Sequence, residues 1–76
     1  MNNEIGKQVY RKLLYFFENK LDVHIVLTDN SWHNGKIIDL SETKLTMVLD
    51  EFVEGKLPIL LEKVIPDLIK EYRVRR

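Results

Sequence analysis

The hydrophobic period of this chain changes at Leu21, and that change limits the folds open to it. Before it, Tyr10, Leu13, Leu14, Phe17 and Leu21 fall at spacings of three and four, which gathers side chains on one helical face. Gln8, Arg11, Lys12, Glu18 and Asn19 occupy the rest, Val9 and Phe16 widen the apolar stripe, and Asn2 or Asn3 suits the N-cap. After it, Leu21, Val23, Ile25 and Leu27 alternate with Asp22, His24, Val26 and Thr28, the period of a half-buried strand. A helix over residues 1–20 thus leads into a β region.

The β region continues in short pieces. Asp29-Asn30 supplies a hairpin turn, because both residues tolerate positive φ. A long second strand runs from Ser31 to Leu40 and is interrupted by Gly35, where a bulge, a bend or a close backbone approach is expected. After the turn Ser41-Glu42-Thr43, Leu45, Met47 and Leu49 alternate with Thr46, Val48 and Asp50 as a third strand. Residues 51–55 connect to a fourth strand, Lys56–Leu61. The end has two readings: Val64, Ile65, Leu68, Ile69 and Tyr72 fit a helix with Pro66 in its first turn, or Leu68–Val74 forms a fifth strand. The strand is preferred, because four strands leave an open edge that a fifth closes or offers to a neighbour.

At 76 residues the chain makes one domain, residues 1–76. A domain this short buries only about 60% of its unfolded surface and usually needs a supplement. Cysteine is absent, so disulfides and thiolate metal sites are excluded. His24 and His33 stand nine residues apart with no matching carboxylate cluster, so no metal or other cofactor is expected. Association between subunits is the supplement that remains. No apolar run approaches a membrane span, and Asn2, Asn3 and Glu4 do not open a signal peptide; a soluble cytoplasmic protein is the expectation.

Net charge is zero, but its distribution is uneven. Lys7, Arg11, Lys12 and Lys20 against Glu4 and Glu18 make residues 1–20 +2. Lys70, Arg73, Arg75 and Arg76 against Glu71 make residues 70–76 +3, which leaves −5 for the body between them. An anion would be sought at the basic helix and at the tail, residues 73–76.

The stretch from Val23 to Asp50 reads V-H-I-V-L-T-D-N-S-W-H-N-G-K-I-I-D-L-S-E-T-K-L-T-M-V-L-D. It resembles the first motif of the Sm-like family: an alternating strand, a tight turn, an aromatic two residues before an obligatory glycine, two aliphatics, a turn, and a strand ending in an acid. Leu27, Asp29, Gly35, Ile37, Ile38, Leu45, Val48 and Leu49 carry the likeness. The resemblance implies an N-terminal helix and a strongly bent, five-stranded barrel of SH3-like or Sm-like form over residues 21–72. It also implies a ring-forming homo-oligomer joined through the strands near Lys56–Leu61 and Leu68–Val74, with RNA as the partner.

The resemblance weakens where the family reads a base. Ser41 stands near the position of a recognition Asp, Leu45 near that of a stacking residue and Thr46 near that of an Asn. In place of the Arg-Gly pair after the fourth strand, or the Lys-His of the bacterial branch, the chain has Leu60-Leu61-Glu62-Lys63, so only Lys63 could stand in. Ser and Thr can hydrogen-bond a base, but Leu gives no aromatic platform.

Each candidate has a functional and a structural reading. Trp32 is a base-stacking platform or a packing residue. His33 with Asn34 contacts a base, or His33 is a satisfied strand histidine; His24 is expected to point to solvent. Arg73, Arg75 and Arg76 grip phosphates or form a solvated tail. Tyr10, Tyr15, Phe16 and Phe17 read as core and interface. The RNA-contact candidates are therefore Trp32, His33, Asn34, Ser41, Thr46, Lys63, Arg73, Arg75 and Arg76. No nucleophile–base order, phosphate loop or metal spacing points to catalysis. The expectation is a non-enzymatic Sm-like protein with non-standard RNA contacts, or alternatively a protein-interaction barrel without RNA.

Overall fold

A computed structural model describes residues 4–73 of the chain. Helix α1 covers Glu4–Glu18, followed by strands β1 (Asp22–Val26), β2 (Trp32–Ser41), β3 (Thr46–Glu51) and β4 (Gly55–Leu60). Two single 3₁₀ turns, Leu61–Lys63 and Pro66–Leu68, lead to a two-residue strand β5 (Lys70–Glu71). The fold is mainly β with an N-terminal helix. The proposed caps Asn2 and Asn3 lie outside the described residues.

The helix buries Gly6, Val9 and Leu13, so its inner face is turned about one position from the Tyr10–Leu14 line expected from the sequence. Tyr10, Phe16 and Phe17 pack at the rim of the core. Tyr15 stays 60% exposed; its ring stands edge-on to Phe16, 5.5 Å between centroids. Gly6 explains the turn, since a Cβ there would come 3.0 Å from Leu45 Cδ1: the helix settles where it can come closest to the β2–β3 turn. It ends in a Schellman motif, with Leu21 N–H donating to Phe16 O (2.9 Å) and Lys20 N–H to Phe17 O (3.3 Å). Lys20 takes the left-handed position, φ 55°.

All pairings are antiparallel, in the order β4-β3-β2-β1-β5. Val23, Ile25, Ile37, Met47, Leu49 and Ile59 face inward and form one core with Val9 and Leu13 of the helix and Leu61 and Val64 beyond β4. Strand β4 does not pair with β5, so no continuous ladder closes a barrel among the described residues. The connection between them is instead tied to β1: Thr28 N–H donates to Lys63 O (2.8 Å), Ile65 N–H to Val26 O (2.9 Å), and Leu27 bridges Val64.

Several expectations shift in detail: the fourth strand is Gly55–Leu60 rather than Lys56–Leu61, since Leu61 opens the 3₁₀ turn. The third strand begins at Thr46, because Leu45 has φ 52° and belongs to the turn. The last segment combines both readings: Pro66 opens a 3₁₀ turn, and the strand after it is Lys70–Glu71 rather than Leu68–Val74. Tyr72 adds a rung through its N–H to Asp22 O, 3.0 Å, while Val74 lies outside the described residues. Gly35 answers to close approach, since a Cβ there would run into the Asp50 carbonyl oxygen and lie 2.8 Å from Glu51 Cα. The register shift of β2 comes later, between Ile37 and Asp39.

Hydrogen-bond phase assigns the free edges. Leu61 N–H donates to Leu45 O (3.0 Å); continuing the alternation, Met47↔Ile59 and Leu49↔Leu57 are the hydrogen-bonded pairs of β3–β4. The backbone groups of Lys56, Pro58 and Leu60 therefore face outward from β4. Pro58, which has no N–H, sits where β3 asks nothing of it. On β5, Tyr72 bonds inward to β1, so Glu71 presents its backbone to the other free edge.

Gly35→Ala is expected to lower stability by about 1–3 kcal/mol through overpacking against backbone, read as a fall in the urea midpoint. Lys20→Gly should raise stability by about 0.5–1 kcal/mol, the left-handed strain relieved less the added freedom of the unfolded chain.

Candidate nucleic-acid interface

Strand alternation sends the even-numbered side chains of β1 and the start of β2 to the outer face of the sheet. Register then pairs them, His24 with Asn34 and Val26 with Trp32. Lys70 of β5 lies opposite His24 on the other side. Together with Tyr72, Glu71 and Arg73 these side chains line an open groove of about 580 Å³.

The floor of the groove is organised by polar contact. His24 Nδ1 and Asn34 Oδ1 are 2.6 Å apart, and the His24 ring lies 6.1 Å from that of Trp32 at 34°. Trp32 is 60% exposed: register fixes its backbone while most of its indole remains open. Tyr72 meets Phe52 at 5.5 Å between ring centroids. Lys70 and Arg73 bring positive charge to the β5 rim, partly offset by Glu71, whose Oε1 is 3.3 Å from Arg73 Nη2. An exposed aromatic, amide and imidazole groups and flexible cations suit a ligand with a flat ring and a nearby anion.

Trp32, Asn34 and Arg73 of the expected residues are thus brought together, whereas His33, Ser41, Thr46 and Lys63 are not. His33 points to the opposite face of β2, where its Nδ1 is 3.9 Å from carboxylate oxygens of both Glu51 and Glu54. Lys63 shares a separate depression with His33, Asp29 and Glu54, acidic surroundings that disfavour a phosphate. Ser41 is spent on its own turn, accepting from Lys44 N–H at 3.1 Å, and Thr46 is its half-buried cross-strand partner. Leu45, expected from the sequence resemblance near a stacking position, packs against the helix at Gly6. Along β2, Ser41 lies about 30 Å of strand from Trp32, at about 3.3 Å per residue. Arg75 and Arg76 lie outside the described residues.

His24, Lys70 and Tyr72 are the groove residues missed in the sequence. His24 does face outward as expected, but against Asn34 rather than free in solvent. The signal for it was the turn: residues 28–31 between the strands set a register that places 24 opposite 34. The turn is held by Asp29, whose Oδ1 accepts from both Ser31 N–H and Ser31 Oγ–H.

Among the described residues no cluster of His, Asp or Glu is placed to hold a metal ion, and no helix is long and apolar enough to cross a membrane. Comparison with protein-family models, curated proteins and solved structures finds no match to this chain.

Two carboxylates give the fold a pH dependence. Glu51 is buried, and the N–H groups of Glu54 (2.7 Å) and Val53 (2.8 Å) hold its carboxyl below the ordinary value. The Ser31 hydroxyl, followed by its N–H, does the same for Asp29. Both groups therefore stabilise the fold fully above their unfolded values near 4 and lose that contribution as pH falls through the lower folded values. The urea midpoint should be flat from neutrality to about pH 5 and drop below it. Glu51→Gln should lower the plateau and shallow the drop.

Proposed function

We propose that this protein is a non-catalytic, cytoplasmic, homo-oligomeric Sm-like protein that associates with RNA through the outer-face groove instead of the family's loop pocket. The observation that carries this reading is the grouping of exposed Trp32, the His24–Asn34 pair, Lys70 and Arg73 along one groove. Base stacking on an aromatic is worth about 1–3 kcal/mol and tolerates sequence, which fits a chain whose net charge supplies little general attraction for nucleic acid. The oligomer is supported by the sheet order: β4 and β5, the segments the resemblance assigns to subunit contacts, are its two edges. Repeating the groove around an assembly would multiply weak contacts.

A second reading, a protein-interaction module without RNA, is favoured by one observation. Val53 is 89% exposed and Phe52 52% exposed at the β3–β4 turn, an apolar tip of which the RNA reading uses only the Phe52 contacts with Tyr72 and Asn34.

Light scattering should give a mass of several chains; a single-chain mass overturns the assembly. Titration with short U-rich and A-rich RNA at about 50 and about 200 mM salt should show binding that weakens with salt. Trp32→Ala is expected to weaken it about 5- to 100-fold. Replacing Arg73, Arg75 and Arg76 together should reduce the salt slope by about three at most. An assembly that binds no RNA at the lower salt sinks the first reading and leaves the second.

A further inference from the structure

The polar pair on the groove floor has a property that neither residue has alone. Asn34 Oδ1 faces His24 Nδ1 at 2.6 Å; an amide oxygen only accepts, so the ring nitrogen there carries the proton, and two groups are left over. Asn34 Nδ2 is a donor and His24 Nε2, in this tautomer, an acceptor. Neither has a hydrogen-bond partner among the described residues, and no unpartnered side-chain nitrogen or oxygen is buried there. Both are therefore open to solvent, on residues that line the groove. If the amide turns over and donates to Nδ1, the imidazole proton sits on Nε2, and the leftover groups become an acceptor on Asn34 and a donor on His24. With the imidazole neutral, the pair offers a donor and an acceptor in either setting, and it exchanges their order with no net gain or loss of a proton.

Resting on the reading of the groove as an RNA site, we infer that the His24–Asn34 pair reads the pairing edge of a single unpaired base and accepts any of the four. Uracil and guanine present a carbonyl acceptor beside a ring N–H; cytosine and adenine present an amino donor beside a ring nitrogen acceptor. Each order is met by one setting of the pair. Trp32 lies two residues from Asn34 on the same face of β2, about 6.6 Å away at strand spacing. A base stacked on its indole brings its edge to the pair, with Lys70 and Arg73 beside the sugar–phosphate. The site selects unpaired bases, because in a duplex this edge is already occupied, while it barely discriminates among them.

Asn34→Asp tests this, since a carboxylate only accepts. Assayed at about pH 8.5, so that the imidazole is neutral beside the new carboxylate, it locks His24 Nδ1–H toward itself and leaves two acceptors, the complement of guanine's adjacent N1–H and N2–H₂. The probes are U-rich RNA hexamers with one central G, A, C or U, and matched duplexes, followed by fluorescence anisotropy on the full chain. The unchanged protein should bind the four single strands within about threefold and the duplexes at least about tenfold more weakly. Asn34→Asp should bind all of them less tightly but prefer central guanine by about tenfold or more. Adding His24→Phe should erase that preference; His24→Phe alone should weaken all four hexamers alike by about fivefold or more, the loss of one base-edge contact. If the unchanged protein binds RNA but Asn34→Asp leaves the base ranking as it was, or if the unchanged protein already separates the bases by more than tenfold, the inference fails and the RNA reading stands. If the unchanged protein binds none of the hexamers, both fall.

Discussion

Where β2 crosses β3, the backbone of Gly35 lies against Asp50 and Glu51 with no room for a Cβ. This contact holds in register what lies on both sides of it. On one side Phe52 N–H reaches Asn34 O at 3.0 Å, extending the pairing past the end of β3 and fixing the outward direction of Asn34. On the other, Glu51 is carried inward, where its carboxylate takes the N–H groups that close the β3–β4 turn. A side chain at residue 35 would part the strands at the point where the groove and the turn share their backbone.

The separation of scaffold from site follows from the same geometry. The positions that a resemblance to the Sm-like family would assign to reading a base hold groups with structural duties. Leu45 is under the helix and Ser41 holds its own turn, while Lys63 stands beside Asp29 and Glu54. The outer face of β1, β2 and β5 carries the open aromatic and polar groups instead. Glu51 and His33, adjacent to that face in sequence, look the other way because neighbouring strand residues do.

Much of the fold was legible as period: the helix, four of the strands and the order of turns follow from alternation and from Asp29-Asn30, Gly35 and Gly55. Alternation could not show which strand edges are free, because edges depend on pairing between distant segments. It also placed Leu45 in a strand, since an apolar residue in step with Met47 and Leu49 gives no sign of its positive φ. The tail was ambiguous for a physical reason: a 3₁₀ turn and a two-residue strand are each too short to establish a period. At the groove, Trp32 and Asn34 were visible as unusual side chains on one strand. Their partner His24 required register, and Lys70 and Tyr72 required the return of the chain to β1. Treating Trp32, His33 and Asn34 as one patch overlooked that the middle residue belongs to the other face.

Pro58 lends β4 a one-sided chemistry. At the middle of that free edge the chain offers a carbonyl but no proton, so a strand laid against it finds a missing rung there. Fibril-like stacking, in which every amide of an edge must find a mate, is interrupted at its centre. A strand that does attach is held by Lys56 and Leu60 on either side of the gap, and such a joint opens more readily than an unbroken ladder. Any joint across this edge would therefore have its weakest rung at Pro58.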